Sequence, residues 1–81
     1  MNYLEWVINW FVENGEVSNE EIRNHLDENY FELGYIDSFA FIMLISAIED
    51  ELGVSFDNDM FQNRSFSTIN GLVNAITMEK K

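Results

Sequence analysis

Leu33-Gly34-Tyr35-Ile36-Asp37-Ser38-Phe39-Ala40-Phe41-Ile42-Met43-Leu44-Ile45-Ser46-Ala47-Ile48-Glu49-Asp50-Glu51-Leu52-Gly53-Val54 contains a helix expected to start near Ser38 and to end before Gly53. Phe41, Leu44, Ile45 and Ile48 recur at i, i+3, i+4 and i+7, and Leu52 extends the stripe by one turn, so one face is apolar at helical spacing. Asp37-Ser38 precedes the stripe, and either oxygen-bearing side chain suits a helix start, with Ser38 taken as the N-cap. Gly53 is expected just beyond the end. Ser38 is thereby placed where a coil becomes a helix, directly after an acid.

Two further segments repeat the stripe. Leu4, Val7, Ile8 and Phe11 predict a first helix over Asn2 to Glu13, stopping at Asn14-Gly15, a pair suited to a left-handed cap. Ile69, Leu72, Val73 and Ile76 predict a last helix from Ser67 or Thr68 to about Met78, with Lys80 and Lys81 beyond its negative end. In the long connection Glu16 to Asp37, Ser18-Asn19-Glu20-Glu21 reads as a cap followed by first-turn acids. A short helix is expected up to about Asp27, with Ile22 and Leu26 facing inward. Tyr30, Phe31, Leu33 and Ile36 are expected to pin the rest of that loop, and Val54 and Phe56 to anchor the second connection. Asp57 to Phe61 predicts one capped helical turn. The fold class expected is all-α: a small four-helix bundle of three main helices and one short one, with a long first loop, forming one domain over residues 1–81.

Composition narrows the function. Fifteen acids against four Lys and Arg give a net charge of −11, which repels phosphate backbones and excludes nucleic-acid binding as an expectation. Such a field favours protein partners with basic patches. Cys is absent, so no disulfide framework or catalytic thiol is available. No apolar run approaches the ~20 residues of a membrane span. Glu5 and Glu13 flank the N-terminal apolar residues with no basic region before them, so a cytoplasmic monomer is expected.

Candidate chemistry is sparse. A nucleophilic serine needs a base and an orienting group; His25 is the only histidine, and the flanks of Ser38 are not Gly-x-Ser-x-Gly. Asp57-Asn58-Asp59 fails as a calcium loop, because Gln62 and Thr68 stand where Gly and Glu are needed. Trp6 and Trp10, with Tyr3 near them, are spaced for the rim of a core rather than for a cofactor pocket.

Taken together, Gly34, the Asp37-Ser38 pair, the large apolar Phe39, the apolar helix, the acids Glu49-Asp50-Glu51 and Gly53-Val54 resemble the acyl carrier and peptidyl carrier family, over Leu33 to Ile76. The resemblance implies that Ser38 carries a 4′-phosphopantetheine arm, transferred from coenzyme A by a phosphopantetheinyl transferase. It implies that Asp37 helps that enzyme hold Mg²⁺ during transfer only. The chain would catalyse nothing. It would hold acyl or aminoacyl groups as thioesters and present them to loading and transfer enzymes with basic patches. Fatty-acid, polyketide, peptide and cell-envelope pathways all use such carriers.

Two departures qualify the resemblance. Two residues, Tyr35 and Ile36, separate Gly34 from Asp37, a spacing similar to that of D-alanyl and other aminoacyl carriers, where many fatty-acid carriers have one. Ala40 and Met43 stand where fatty-acid carriers often have acids. The docking face is accordingly expected at Phe39, Ile42 and Met43, with charge from Asp37, Glu49, Asp50 and Glu51. The alternative is an acidic helical adaptor that binds a partner through Phe39, Ile42 and Met43, with Ser38 a mere cap.

Overall fold

The computed structural model describes residues 2–56 and 64–79. Among these, regular structure is helical throughout: α1 (Tyr3–Asn14), α2 (Asn19–Arg23), α3 (Ser38–Leu52), a 3₁₀ turn (Arg64–Ser67) and α4 (Ile69–Glu79). The three striped segments are the three long helices, and the short one is α2, as the sequence predicts. The turn expected over Asp57 to Phe61, and Lys80 and Lys81, lie outside the described residues.

Each start follows from local chemistry. Asn2 caps α1 by accepting the Glu5 N–H at 3.2 Å, and Ser18 caps α2 by accepting the Glu21 N–H at 3.1 Å. Thr68 Oγ1 accepts the Gly71 N–H at 3.0 Å at the head of α4. Helix α2 is shorter than expected and ends at Arg23. The next amides bond three residues back, Asn24 N–H to Glu21 O and His25 N–H to Ile22 O, which tightens the chain into turns. Leu26 still packs on the core from those turns.

The stripes close one core. Val7, Ile8 and Phe11 from α1, Ile22 from α2, Leu44, Ile45, Ile48 and Leu52 from α3, and Ile69, Leu72 and Ile76 from α4 are all buried. Trp6 and Trp10 are half-buried against it, the rim role expected of them. Phe56 is half-buried and Val54 buried, so the second connection is anchored as expected.

The long first loop is sewn into the molecule rather than laid over it. Tyr30 is fully buried, with its ring centroid 5.0 Å from Phe11, 5.0 Å from Phe31 and 6.4 Å from Phe41. Its hydroxyl donates to the Phe66 carbonyl. Its N–H donates to Ser67 O at 2.9 Å, and Asn70 N–H donates to Leu26 O at 3.0 Å, so two backbone bonds tie the loop to the start of α4. At the other end, Glu16 N–H donates to Tyr35 O at 2.9 Å and Tyr35 N–H to Tyr30 O at 3.1 Å. Outside the core, Arg23 bridges α2 to α1 with a two-pronged contact to Glu5 at 2.9 and 2.6 Å. That hydrogen bond holds the Glu5 carboxyl below its usual range, so the contact operates above that range and fades as pH falls.

Gly15 corrects one expectation. It is not left-handed: its φ is −105° and ψ −172°, an extended conformation open to any residue. The glycine is needed for space instead. A Cβ there would lie 2.7 Å from Tyr35 O and 2.8 Å from Phe11 O, because Gly15 N–H bonds Phe11 O while the returning loop at Tyr35 and Ile36 presses against it. The left-handed positions are Gly34 (φ 76°) and Gly53 (φ 68°), the latter closing α3.

Gly15→Ala must displace backbone carbonyls, and by the usual cost of overpacking it should lose about 1–3 kcal/mol, read by denaturant titration. Tyr30→Phe removes the buried hydroxyl that donates to the Phe66 carbonyl and should lose about 1–3 kcal/mol. Burial raises the Tyr30 phenol above its ordinary 10.0. The folded chain therefore holds a proton that the unfolded chain releases, and stability falls as pH rises above that value. Melting curves from neutral pH into the alkaline range should show that decline, and Tyr30→Phe should flatten it.

Candidate functional site

Helix α3 begins at Ser38, and the cap is Asp37, not the serine. Asp37 is extended (φ −106°, ψ −177°), and its Oδ1 accepts the Ala40 N–H at 2.8 Å. Both residue types cap well, and the one-residue choice is decided by which side chain reaches the third amide. Ser38 is thus the first helical residue. Its side chain is exposed, and no hydrogen bond among the described residues uses its Oγ. The adaptor alternative rested on a capping serine, and that premise does not hold.

The approach to Ser38 is rigid. Gly34 turns the chain through its left-handed conformation. Tyr35 and Ile36 are then buried, at 3% and 7% exposure, so the two residues between glycine and acid act as anchors. Tyr35 was not among the loop residues expected to be buried; only its place beside Ile36 hinted at it. Burial first, and then the carboxylates of Glu21 and Glu28, raise its phenol above the usual range. Its hydroxyl faces Glu21, though no hydrogen bond of good geometry closes on it.

The start of α3 suits an esterified phosphate. The N–H groups of Ser38 and Phe39 have no acceptor among the described residues. The positive end of the helix dipole adds to them, so an anion on the Ser38 oxygen would meet free donors and a favourable field. The second Asp37 carboxylate oxygen also has no donor among the described residues, which leaves it available to a cation.

The outer face of α3 carries the apolar residues expected there. Phe39 is 73% exposed, Ile42 64% and Met43 50%. The helical period puts Ser46 and Asp50 on the same line. The acids at the far end of the helix do not act as one group. Glu49 Oε2 accepts the Phe56 N–H at 3.4 Å, Asp50 extends the exposed stripe, and Glu51 turns toward Trp6 and Trp10 of α1. They stand about 16 Å along the helix from Phe39, at ~1.5 Å per residue. The structure therefore brings Asp37, Ser38 and Phe39 together at one end of α3 and leaves the acidic cluster at the other.

No three His, Cys, Asp or Glu side chains among the described residues converge on a metal position. No helix among them is long and apolar enough to cross a membrane.

A family model described as "Phosphopantetheine attachment site" matches residues 5–76. The D-alanyl carrier protein of Bacillus velezensis is 33% identical over 63 residues, covering 76% of this chain and 81% of that protein. No solved structure matches the chain. The match runs from the first turn of α1 into the last turns of α4, so it includes the capped junction, the anchoring loop and the helices that build the core. The chain belongs to the phosphopantetheine-attachment family, and it is a carrier protein, not an enzyme.

Proposed function

We propose that Ser38 is the attachment point of 4′-phosphopantetheine and that the protein presents aminoacyl groups to partner enzymes. The observation that carries this reading is the serine hydroxyl itself. It is exposed, engaged in no hydrogen bond among the described residues, and set at the first residue of a capped helix inside the matched segment. The group's terminal thiol would hold the cargo as a thioester. That supplies the one function missing from a chain with no cysteine.

The chain's own residues have separable roles. Asp37 fixes the helix start through Oδ1 and offers its other oxygen to the Mg²⁺ used by a phosphopantetheinyl transferase, since that ion favours carboxylates together with substrate phosphates. The free amides of Ser38 and Phe39 receive the phosphodiester. Phe39, Ile42 and Met43 form the face that meets the transferase and the loading enzymes, with Asp37 and the acids Glu49, Asp50 and Glu51 as charges at the two ends of α3. The overall charge of −11 steers basic partner surfaces to it.

Aminoacyl cargo is favoured over fatty acyl cargo by two observations. The two-residue spacing Tyr35-Ile36 between Gly34 and Asp37 is similar to that of aminoacyl carriers, and a relative at 33% identity is a D-alanyl carrier protein.

Incubation with coenzyme A, Mg²⁺ and a broad-specificity transferase should add one phosphopantetheine to the intact mass. Ser38→Ala should gain nothing. Ser38→Thr should keep the fold and be modified far more slowly. An undiminished gain in Ser38→Ala overturns the assignment. Phe39→Ala and Met43→Ala remove exposed side chains, so each should stay within about 0.5 kcal/mol of the parent in stability. The pair should lower kcat/KM for transfer roughly 10-fold or more, the size of one lost interface anchor.

A further inference from the structure

Beside Ser38 lies an open depression of about 590 Å³ that the attachment chemistry leaves unexplained. Asn14, Gly15 and Glu16 form one wall where α1 ends. Gly34 to Ser38 form the other, and Phe31 and Ala40 contribute carbon to its floor. The walls are held together by the Glu16 N–H bond to Tyr35 O, so their spacing is built in. Nothing lies within 4 Å of where a Gly34 Cβ would stand, so the depression is open on that side. The volume falls within the about 300–1,000 Å³ of ordinary ligand pockets.

We infer that this depression seats the neutral pantetheine portion of the arm carried by Ser38, so that the loaded arm has a docked state between α1 and the first loop. This rests on the attachment reading above. Charge decides which part of the arm enters. Glu16 and Asp37 on the walls repel the phosphodiester, which stays at the free amides of Ser38 and Phe39. Beyond the phosphate the arm is uncharged, with two amide N–H donors, a hydroxyl and a pair of methyl groups. The walls offer matching acceptors. Asn14 spends its Nδ2 on Trp10 O at 3.0 Å, and among the described residues its Oδ1 has no donor and Glu16 no ion-pair partner. Phe31 and Ala40 offer carbon to the methyl groups. The rival seat on α3 is a groove of about 260 Å³ lined by Phe41, Ile42, Ile45 and Ser46. It is almost wholly carbon and would leave the arm's amides without partners.

The test compares amide ¹H–¹⁵N spectra of the apo and phosphopantetheinylated protein, each verified by intact mass. Nuclear Overhauser contacts are then sought between the arm's methyl groups and the Phe31 ring. The expected result is that Gly15, Glu16 and Gly34 shift together with Ser38 and Phe39, and that contacts to Phe31 are seen. Mass gain with shifts confined to residues 37–40 overturns the seat while leaving attachment standing. Shifts at Phe41, Ile42, Ile45 and Ser46 without Gly15 and Glu16 move the arm to the rival groove and overturn it equally. A chain that gains no mass overturns the attachment and this inference with it.

Discussion

The buried phenol of Tyr30 is the contact on which the arrangement depends. Its ring meets Phe11 of α1 and Phe41 of α3, and its hydroxyl closes on the Phe66 carbonyl just before α4. One side chain from a loop thus touches or bonds to three parts of the bundle. The loop must descend into the core to deliver it, and its backbone groups must then find partners there. They do so at Ser67 O, and at Tyr35 N–H, which returns to the Tyr30 carbonyl. Leaving a buried polar tip unsatisfied is costly, so the fold of the loop and the position of the α4 entry are tied by the same bond.

That constraint reaches the functional site through a short chain of contacts. Tyr35 bonds to Tyr30 through the backbone, and Glu16 bonds to Tyr35. Ile36 is buried beside it, and Asp37 follows in extended conformation to cap α3. The result is a flexible-looking stretch that is in fact fastened on both sides, with one exposed hydroxyl at its end. Attachment chemistry needs such a combination. An attachment oxygen must be open to a docking enzyme, yet it must stand at a fixed place relative to the rest of the fold.

Helix α3 turns one apolar face to the core and another to solvent. Leu44, Ile45, Ile48 and Leu52 face the core, while Phe39, Ile42 and Met43 point outward. Three large apolar side chains on one exposed face of a small acidic protein lose nothing by being covered and gain by burial, which is the usual character of a binding surface. Charge and apolar contact occupy different lengths of the same helix. Long-range attraction can therefore orient a partner before the apolar end engages it.

Much of this was legible in the chain itself. The three stripes, the Ser18 cap and the Gly53 stop are short-range patterns, and helical periodicity and capping depend only on neighbours in sequence. So does the junction at Asp37-Ser38, and with it the candidate attachment point. The outward face of α3 was legible too, since Phe39, Ile42 and Met43 do not all fit one inward stripe. What tertiary structure decided was everything set by atoms distant in the chain. Position 15 requires glycine because Tyr35 O, 20 residues later, occupies the space a Cβ would need. Asp37 rather than Ser38 caps α3 because the path imposed by Tyr35 and Ile36 aims the carboxylate at the Ala40 amide. Tyr35 is buried, Glu51 faces α1, and the depression beside Ser38 exists, because separate segments meet. Local pattern names the residues of a helix; only long-range packing fixes which backbone atoms they must share space with.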